Sequence, residues 1–403
     1  MPVVVTGLGL QSPHGDDPQA MFAALLRGES AVREVFADRL ARPAAAATVD
    51  FDESRWFTKL KLAGVDRVSQ LAVAAAEKAL QDAGLTGRLD PERTGIYAGC
   101  GMGGAAAIEH AYLGSQNLSR IPPLTIPAFM PNAPASQIAI RLGVRGVVLT
   151  WSVACASSAI AIGEAMRAIQ RGEVDVALAG GSEALVLPGV IAAWQAMQTL
   201  APFEPGDAAR ACRPFAADRN GFVLGEGAAF VVLESQAHAR ARGARTYAQA
   251  LGYGLSCDGT HLTKPDAGGQ ARALRAALRS ADLAPADVGY CNAHGTATRI
   301  GDSVEAQALA EVWGAAVADL RVSSTKALHG HLLGAGGALE AVITILSLEQ
   351  RQLPPNLHRG AVDPALGLNL VEPGELAAPQ LAAALSSSFA FGGTNAVLVF
   401  GRA

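Results

Sequence analysis

Residues 146–173, GVVLTWSVACASSAIAIGEAMRAIQRGE, join a strand pattern to a helix pattern across a single cysteine. The run GVVLTW is apolar and β-branched, which is typical of a strand. The residues after Cys155 carry apolar side chains at helical spacing. Helix N–H groups without an intrahelical partner lie at such a junction, and the helix dipole there favours a thiolate. We therefore expect a lowered pKa at Cys155 and interpret it as a nucleophile; the alternative is a buried small side chain.

Length and composition narrow the class of protein. The chain has 403 residues, half of them apolar and 17% charged, which predicts a large α/β protein of two domains or two fused halves. A net charge of -4 without a basic run argues against nucleic-acid binding. The sequence has no signal-peptide pattern and no apolar run of about 18 residues, so we expect a cytoplasmic protein with no membrane partner. Its five cysteines are scattered and lack C-x-x-C spacing, which argues against disulfides and against a metal site.

An internal repeat divides the chain. The pattern VVVTGLGLQS (3–12) returns as YAQALGYGLS (247–256), and AAEKALQDAGL (75–85) returns as ALRAALRSADL (273–283). The segment RVSSTKALHGHLLGAGGALEAVITIL stands where the Cys155 strand and helix stand in the first half. We therefore predict two similar α/β halves, 1–245 and 246–403, packed face to face, with equivalent strand-to-helix junctions meeting at a pseudo-twofold axis.

Three side chains at such junctions could perform chemistry. Aligning Glu164 with Glu340 places His331 opposite Cys155, and His294 follows another strand of the second half. A thiolate can attack an acyl group, and imidazoles can move protons or stabilise developing negative charge. Lys326, if buried beside His331, would favour the neutral imidazole; the alternative is a solvated loop charge.

Seven motifs follow one another along the chain: VVVTGLGLQSPHG, MGGAAAIEH, SVACASSAIAIGEA, RPFAADRNGFVLGEGA, NAHGTATRIGD, STKALHGHLLGAGG and SSSFAFGGTNA. With these motifs the chain resembles the β-ketoacyl-acyl carrier protein synthases, and most closely the elongating type-II enzymes. The resemblance implies a thiolase-like α/β fold in which two duplicated halves form a five-layer αβαβα sandwich. It also implies an acyltransferase that extends chains in fatty acid, polyketide or polyene synthesis.

The resemblance further implies catalytic roles. Cys155 would take the acyl chain from an acyl carrier protein as a thioester. His294 and His331 would assist decarboxylation of malonyl-carrier protein and stabilise the resulting enolate. Lys326 matches a lysine that organises the second histidine, and Glu340 matches a glutamate of the supporting network.

Substrate-binding roles follow from the same motifs. The main-chain N–H groups of Cys155 and Phe391 match the oxyanion hole. Thr296 and Thr298 are implied to bind the pantetheine arm. Phe389 is implied to form the gate with Phe391, and Met102 to line the acyl pocket. No cofactor is implied beyond the phosphopantetheine of the carrier protein.

The chain departs from the family pattern at the gate and at the carrier-facing surface. Ser387 stands where the family usually has Asn, and Ala390 stands for a glycine, from which we expect a gate that opens more slowly or by another path. Arg299 and Ile300 follow H-G-T-x-T, where proline is frequent. The usual basic patch for the acidic carrier is reduced to three residues, Lys59, Lys61 and Arg67.

Three alternatives to an elongating enzyme differ from it in their expected cysteines and histidines. A thiolase would carry a second cysteine near its C-terminus, but none follows Cys291. The initiating synthases use a Cys-His-Asn set, which His331 disfavours. A non-catalytic chain-length factor typically lacks the cysteine, so this chain is expected to be the catalytic member of a homodimer, or of a heterodimer with such a factor.

Overall fold

The computed structural model describes residues 1–114, 121–358 and 360–403. Fourteen strands lie in this part of the chain. Those of the first half are β1 (Val3–Gln11), β2 (Arg33–Val35), β3 (Ala44–Ala47), β4 (Thr94–Gly99), β5 (Val148–Trp151), β6 (Val176–Glu183), β7 (Leu224–Gly225) and β8 (Gly227–Ser235). Those of the second half are β9 (Ala248–Cys257), β10 (Tyr290–Asn292), β11 (Arg321–Ser323), β12 (Asn369–Leu370), β13 (Ala383–Phe389) and β14 (Thr394–Arg402).

Helices alternate with these strands. In the first half they are α1 (Pro18–Leu26), α2 (Arg67–Asp82), α3 (Ala105–Gly114), α4 (Thr125–Phe129), α5 (Ala133–Leu142), α6 (Ser157–Gln170), α7 (Pro188–Ala196) and α8 (Gln236–Ala241). In the second half they are α9 (Ala267–Ala281), α10 (Arg299–Trp313), α11 (Lys326–His329) and α12 (Gly336–Gln350). Within the described ranges, no helix combines the length and the apolar composition that a membrane span requires.

The strand order of the main sheet repeats. Eleven strands are hydrogen-bonded in the order β12-β11-β10-β13-β14-β9-β1-β8-β6-β4-β5. Read outward from the centre, β1-β8-β6-β4-β5 corresponds to β9-β14-β13-β10-β11, so each repeated motif occupies the same place in its half. The halves join where Val3–Val5 pairs antiparallel with Ala248–Ala250. The predicted duplication of an α/β unit is therefore confirmed.

Helices form three layers around this sheet. Helices α6 and α12 pack against each other and contact strands of both halves, α6 on β6 and β14, α12 on β13 and β8. Helices α2 and α5 cover the outer face of the first half, while α9 and α10 cover that of the second. The apolar side chains of α6 and α12 belong to one continuous core. This arrangement is the five-layer sandwich that the resemblance implies.

Small residues let the central layer approach the sheet. A Cβ at Gly99, the last residue of β4, would overlap the main chain of Ser157 and Ser158 at the start of α6. A Cβ at Gly163 would overlap the ring of Tyr253 on β9. Because α6 is held this closely by both halves, its N-terminus has a fixed position between them.

Candidate active site

Cys155 lies in the turn between β5 and α6. Ala154 has φ 45°, an uncommon conformation for a residue with a Cβ. The Ser157 hydroxyl stabilises this turn, because it accepts the Val153 N–H at 2.8 Å and donates to the Ala154 carbonyl at 2.7 Å. The strained turn directs Cys155 into the space between the halves.

His331 meets Cys155 from the other half of the chain. Its Nε2 lies 3.1 Å from the Cys155 Sγ. The His331 main chain is fixed by the segment before β8: its N–H donates to the Val223 carbonyl at 2.7 Å, and its carbonyl accepts the Gly225 N–H at 2.9 Å. The structure thus brings together the two residues that the aligned repeat places opposite each other.

His294 completes a cluster of three side chains. One donor atom each from Cys155, His294 and His331 lies within 4.8 Å of the others, and all three residues are buried. The two imidazole rings are 5.4 Å apart at their centroids and nearly perpendicular, at 81°. Both histidines can therefore reach one small group that is attached to, or placed beside, the cysteine sulfur.

A buried glutamate fixes the main chain at His294. Glu305 accepts the His294 N–H at 2.8 Å through Oε1 and the Gly295 N–H at 2.7 Å through Oε2. The Ser387 hydroxyl donates to the same Oε1 at 2.8 Å and accepts the His294 N–H at 3.1 Å. Ser387, the departure from the family's Asn, is therefore part of the support for His294.

Lys326 and Glu340 form a buried ion pair behind the site. Both side chains are only 1% exposed, and the Lys326 Nζ donates to the Glu340 Oε1. The alternative of a solvated loop charge at Lys326 is wrong. Burial raises the pKa of Glu340 to about 7, against the opposing effect of the Lys326 charge.

The expectation of a lowered pKa at Cys155 is wrong. Burial raises the pKa of the Cys155 thiol to about 12, although the charge of Lys326 and the Phe391 N–H both lower it. Helix α6 begins at Ser157, beyond Cys155 in sequence, and the cost of burying a thiolate exceeds the stabilisation that these groups supply. The resting site therefore holds a neutral thiol.

Both histidines are neutral as well. Burial holds the pKa of His331 well below its usual value, and the positive charge of Lys326 lowers it further. The same two causes act, in the same order, on the pKa of His294. The predicted effect of Lys326 on His331 thus has the correct sign, but burial is the larger cause. A neutral thiol beside a neutral imidazole can transfer its proton as the sulfur attacks.

A cavity of about 380 Å³ contains this cluster and opens to the surface. Its lining includes the predicted substrate-binding residues Thr296, Thr298, Phe389 and Phe391. The two threonine hydroxyls are 3.1 Å apart. Met102 is not among the lining residues of this cavity and is 47% exposed, so the structure does not bring it to the site.

The gate residues form an aromatic wall. The Phe391 N–H donates to the Cys155 sulfur, so the two predicted oxyanion-hole residues are adjacent. The Phe391 ring lies 6.1 Å from that of Trp194, and Phe389 lies 6.1 Å from the ring of His294. Positive φ angles in this turn fall at Gly392 and Gly393, so Ala390 is accommodated without left-handed backbone.

The same three donors could also hold a metal ion by their chemistry, since thiolate and imidazole are zinc ligands. A metal would occupy the sulfur and both imidazoles at once, leaving no nucleophile.

Two supporting carboxylates were missed from the sequence. Glu305 and Glu183 act by accepting main-chain N–H groups, for which a single sequence carries no pattern. Arg67, expected on the carrier-facing surface, is instead hydrogen-bonded to Glu226 through two nitrogens. Only Lys59 and Lys61 of the three expected basic residues remain exposed.

Two family models and a curated relative match most of this chain. The family model for the β-ketoacyl synthase N-terminal domain matches residues 1–239, and that for the C-terminal domain matches residues 247–359. A 3-oxoacyl-[acyl-carrier-protein] synthase 2 of Staphylococcus aureus is 37% identical over 406 residues, covering 99% of this chain and 97% of the relative.

Two solved structures share the fold across the whole chain. A β-ketoacyl synthase from Burkholderia phymatum STM815 has a TM-score of 0.91 at 36% identity and covers 100% of this chain and 99% of its own. The ishigamide ketosynthase/chain length factor has a TM-score of 0.90 at 33% identity, with the same coverage. These similarities confirm the predicted fold class.

Proposed function

The chain belongs to the β-ketoacyl synthase family, and we propose that it joins an acyl group held on Cys155 to a malonyl group carried by acyl carrier protein. The reaction is a decarboxylative Claisen condensation that yields 3-oxoacyl-carrier protein and carbon dioxide, in fatty acid or polyketide chain elongation. The observation that carries the proposal is the 3.1 Å contact of Cys155 Sγ with His331 Nε2, inside a cavity shared with His294.

The first step transfers the acyl group to the enzyme. The Cys155 sulfur attacks the carbonyl carbon of the incoming thioester while its proton moves to His331, 3.1 Å away. The main-chain N–H groups of Cys155 and Phe391 stabilise the oxyanion of the tetrahedral intermediate. The carbon–sulfur bond to the carrier then breaks, and the pantetheine sulfur leaves with the proton as a thiol.

The second step requires neutral histidines. Neutral imidazoles of His294 and His331 donate N–H groups to the malonyl thioester carbonyl, on which negative charge develops as carbon dioxide leaves. The enolate carbon attacks the Cys155 thioester, the carbon–sulfur bond to Cys155 breaks, and the released thiolate takes up a proton from solvent. The buried Lys326–Glu340 pair supports this step by keeping a positive charge behind His331.

The carrier delivers its substrate through the open end of the cavity. We assign Thr296 and Thr298 to the pantetheine arm, because their hydroxyls line the passage to Cys155. No further cofactor is needed, since the phosphopantetheine carries both acyl groups. With Arg67 occupied by Glu226, Lys59 and Lys61 provide little electrostatic steering, and a slow association rate with an acidic carrier follows.

A second subunit is proposed at the edge of the sheet. Strand β5 is the last in the strand order, and Leu149 on it is 47% exposed. Further exposed apolar side chains lie on and after α3 and α4, among them Tyr112, Leu113, Ile126, Phe129 and Met130. An exposed edge strand beside such a surface is typical of a subunit interface. Either a second copy or a homologous chain-length factor would cover it.

We propose that the two repeated halves supply different catalytic residues. Residues 1–245 supply the nucleophile, and residues 246–403 supply His294 and His331.

All five cysteines are free, which supports the proposed cytoplasmic location because disulfides are rare in that compartment.

Intact-mass analysis tests the first step directly. The protein is incubated with acyl carrier proteins bearing chains of different lengths, and the mass increase of one acyl group is measured. We expect a single adduct that is absent from Cys155→Ala and retained in Cys257→Ala, which removes the exposed cysteine. An adduct that persists in Cys155→Ala contradicts the proposal.

Release of carbon dioxide tests the second step separately. Cys155→Gln cannot hold an acyl group, yet it should still decarboxylate malonyl-carrier protein because His294 and His331 are intact. Adding His331→Ala should abolish the release. Unchanged release in the double variant would show that His331 has another role.

A further inference from the structure

One fully buried carboxylate near the site has no part in the proposed chemistry. Glu183 ends β6 and accepts three main-chain N–H groups: Gly101 at 2.8 Å, Met102 at 3.2 Å and Gly334 at 3.0 Å. Two of these donors belong to the first half and one to the second. Glu183 is thus a hydrogen-bonded connection between the halves beside the catalytic cluster.

The donor from the second half, the Gly334 N–H, lies three residues after His331. Leu333 has φ 47°, a conformation that is costly for a residue with a side chain and persists only where its surroundings hold it. The next N–H, that of Gly334, is bound by Glu183. A Cβ at Gly334 would overlap the Gly101 nitrogen and the Glu183 carboxylate, so the two halves are packed closely here.

The two donors from the first half lie in a loop that is hydrogen-bonded to the segment before Cys155. The Gly101 carbonyl accepts the hydroxyl proton of Ser152 at 2.9 Å, three residues before the cysteine. The neighbouring Cys100 N–H donates to the Trp151 carbonyl at 3.1 Å, at the end of β5. The carboxylate therefore holds the turn after His331 and the loop that supports the Cys155 strand.

We propose that Glu183 is a positioning residue that sets the contact between His331 and Cys155 by anchoring the Leu333–Gly334 turn to the Gly101–Met102 loop. Its effect on catalysis rests on the proposed acylation of Cys155. Burial raises the pKa of Glu183 to about 7, while the three N–H groups favour its ionised form. In Glu183→Gln, an NH2 group would replace one of the two carboxylate oxygens. This group cannot accept a hydrogen bond from the N–H that it faces.

The test uses Glu183→Gln in the full-length protein, with Glu234→Gln as the matched control. Glu234 is also fully buried and accepts hydrogen bonds from Thr6, His238 and Arg242, away from the site. In Glu183→Gln we expect the rate constant of Cys155 acylation to fall on the order of 10- to 100-fold, with the apparent KM for acyl-carrier protein changed by less than about twofold. Glu234→Gln should lower the melting temperature without this loss of rate.

Alkylation by iodoacetamide gives a readout that needs no acyl substrate. Peptide mass spectrometry should show slower alkylation of Cys155 in Glu183→Gln, with the exposed Cys257 unchanged and the buried Cys100 and Cys291 still protected. If wild-type protein is not acylated but this difference appears, the proposed function fails and the positioning role stands. Normal acylation and alkylation of Cys155 in Glu183→Gln would overturn the positioning role.

Glu183→Asp provides a second variant if the glutamine variant does not fold. It keeps the charge but shortens the side chain by one methylene, so one of the three N–H groups loses its acceptor. We expect an intermediate loss of the acylation rate, on the order of 3- to 10-fold. A rate equal to that of the wild type would contradict the proposal.

Discussion

His331 Nε2 lies 3.1 Å from Cys155 Sγ, across 176 residues of sequence and across the junction of the two halves. Each residue follows a strand of its own half, and the corresponding helices α6 and α12 pack together in the central layer. Neither half alone contains a nucleophile with its proton acceptor. The duplicated architecture is therefore what assembles the site.

The raised pKa of Cys155 predicts its response to pH. Since burial raises this pKa to about 12, the thiol is protonated throughout the neutral range. In His331→Ala, which lacks the neighbouring base, the rate of Cys155 alkylation should rise about tenfold per pH unit from about pH 6 to about pH 10, because the thiolate fraction rises in this way below the pKa. Mass spectrometry of the alkylated peptide measures the rate. A plateau near neutral pH would instead indicate a thiolate stabilised by the helix dipole.

Removal of one partner of the Lys326–Glu340 pair should be strongly destabilising. Lys326→Met leaves the Glu340 carboxylate buried without its countercharge, so we expect a loss of about 3–5 kcal/mol in the free energy of unfolding. The double variant Lys326→Met/Glu340→Leu should recover most of it, because both charges are then absent. Urea denaturation measures both values. Equal losses in the single and double variants would show that packing, rather than the unpaired charge, sets the cost.

Ser387 should contribute to the support of His294. Ser387→Ala removes the hydroxyl that donates to Glu305 and accepts the His294 N–H, with an expected cost of about 1 kcal/mol in stability. Decarboxylation in the Cys155→Gln background should fall several-fold, on the order of the same energy. Ser388→Ala, the adjacent buried serine on β13, is the control. Decarboxylation that is equally affected by both changes would remove the specific role of Ser387.

The gate offers a separate kinetic test. Ala390→Gly restores the glycine that the family usually has, and it widens the range of backbone conformations open to the Phe389–Phe391 turn. We expect faster pre-steady-state acylation of Cys155, with the free energy of unfolding lowered by about 0.5–1 kcal/mol. Rapid-quench mass spectrometry measures the acylation phase. An unchanged rate would show that this turn does not limit entry of the acyl group.

The sequence could predict contacts between residues at equivalent positions of the two repeated halves. Strand-to-helix junctions and their repetition were sufficient to pair Cys155 with His331, because equivalent elements occupy equivalent places in two copies of one fold. The supporting carboxylates could not be predicted in this way. Glu183 and Glu305 act on main-chain N–H groups brought to them by tertiary packing, and no residue type marks such a partner in sequence.

The ionisation state of Cys155 could not be predicted from the sequence for a different reason. The local sequence reveals the helix that follows, and its dipole alone would lower the pKa of the thiol. The larger opposing cause is burial between parts of the chain distant in sequence, among them the gate residue Phe391 and His331. Because burial depends on the folded molecule, residues 146–173 alone could not predict whether the pKa of Cys155 is raised or lowered.

The central layer of α6 and α12 also has a consequence for synthesis on the ribosome. Residues 336–350 cover the apolar side of α6, and residue 331 supplies the imidazole beside Cys155. A nascent chain arrested before this point has the thiol without its partner and leaves an unpacked face of α6 for chaperones or proteases to recognise. Incomplete products thus lack the catalytic cluster and differ from the finished enzyme in this exposed apolar face.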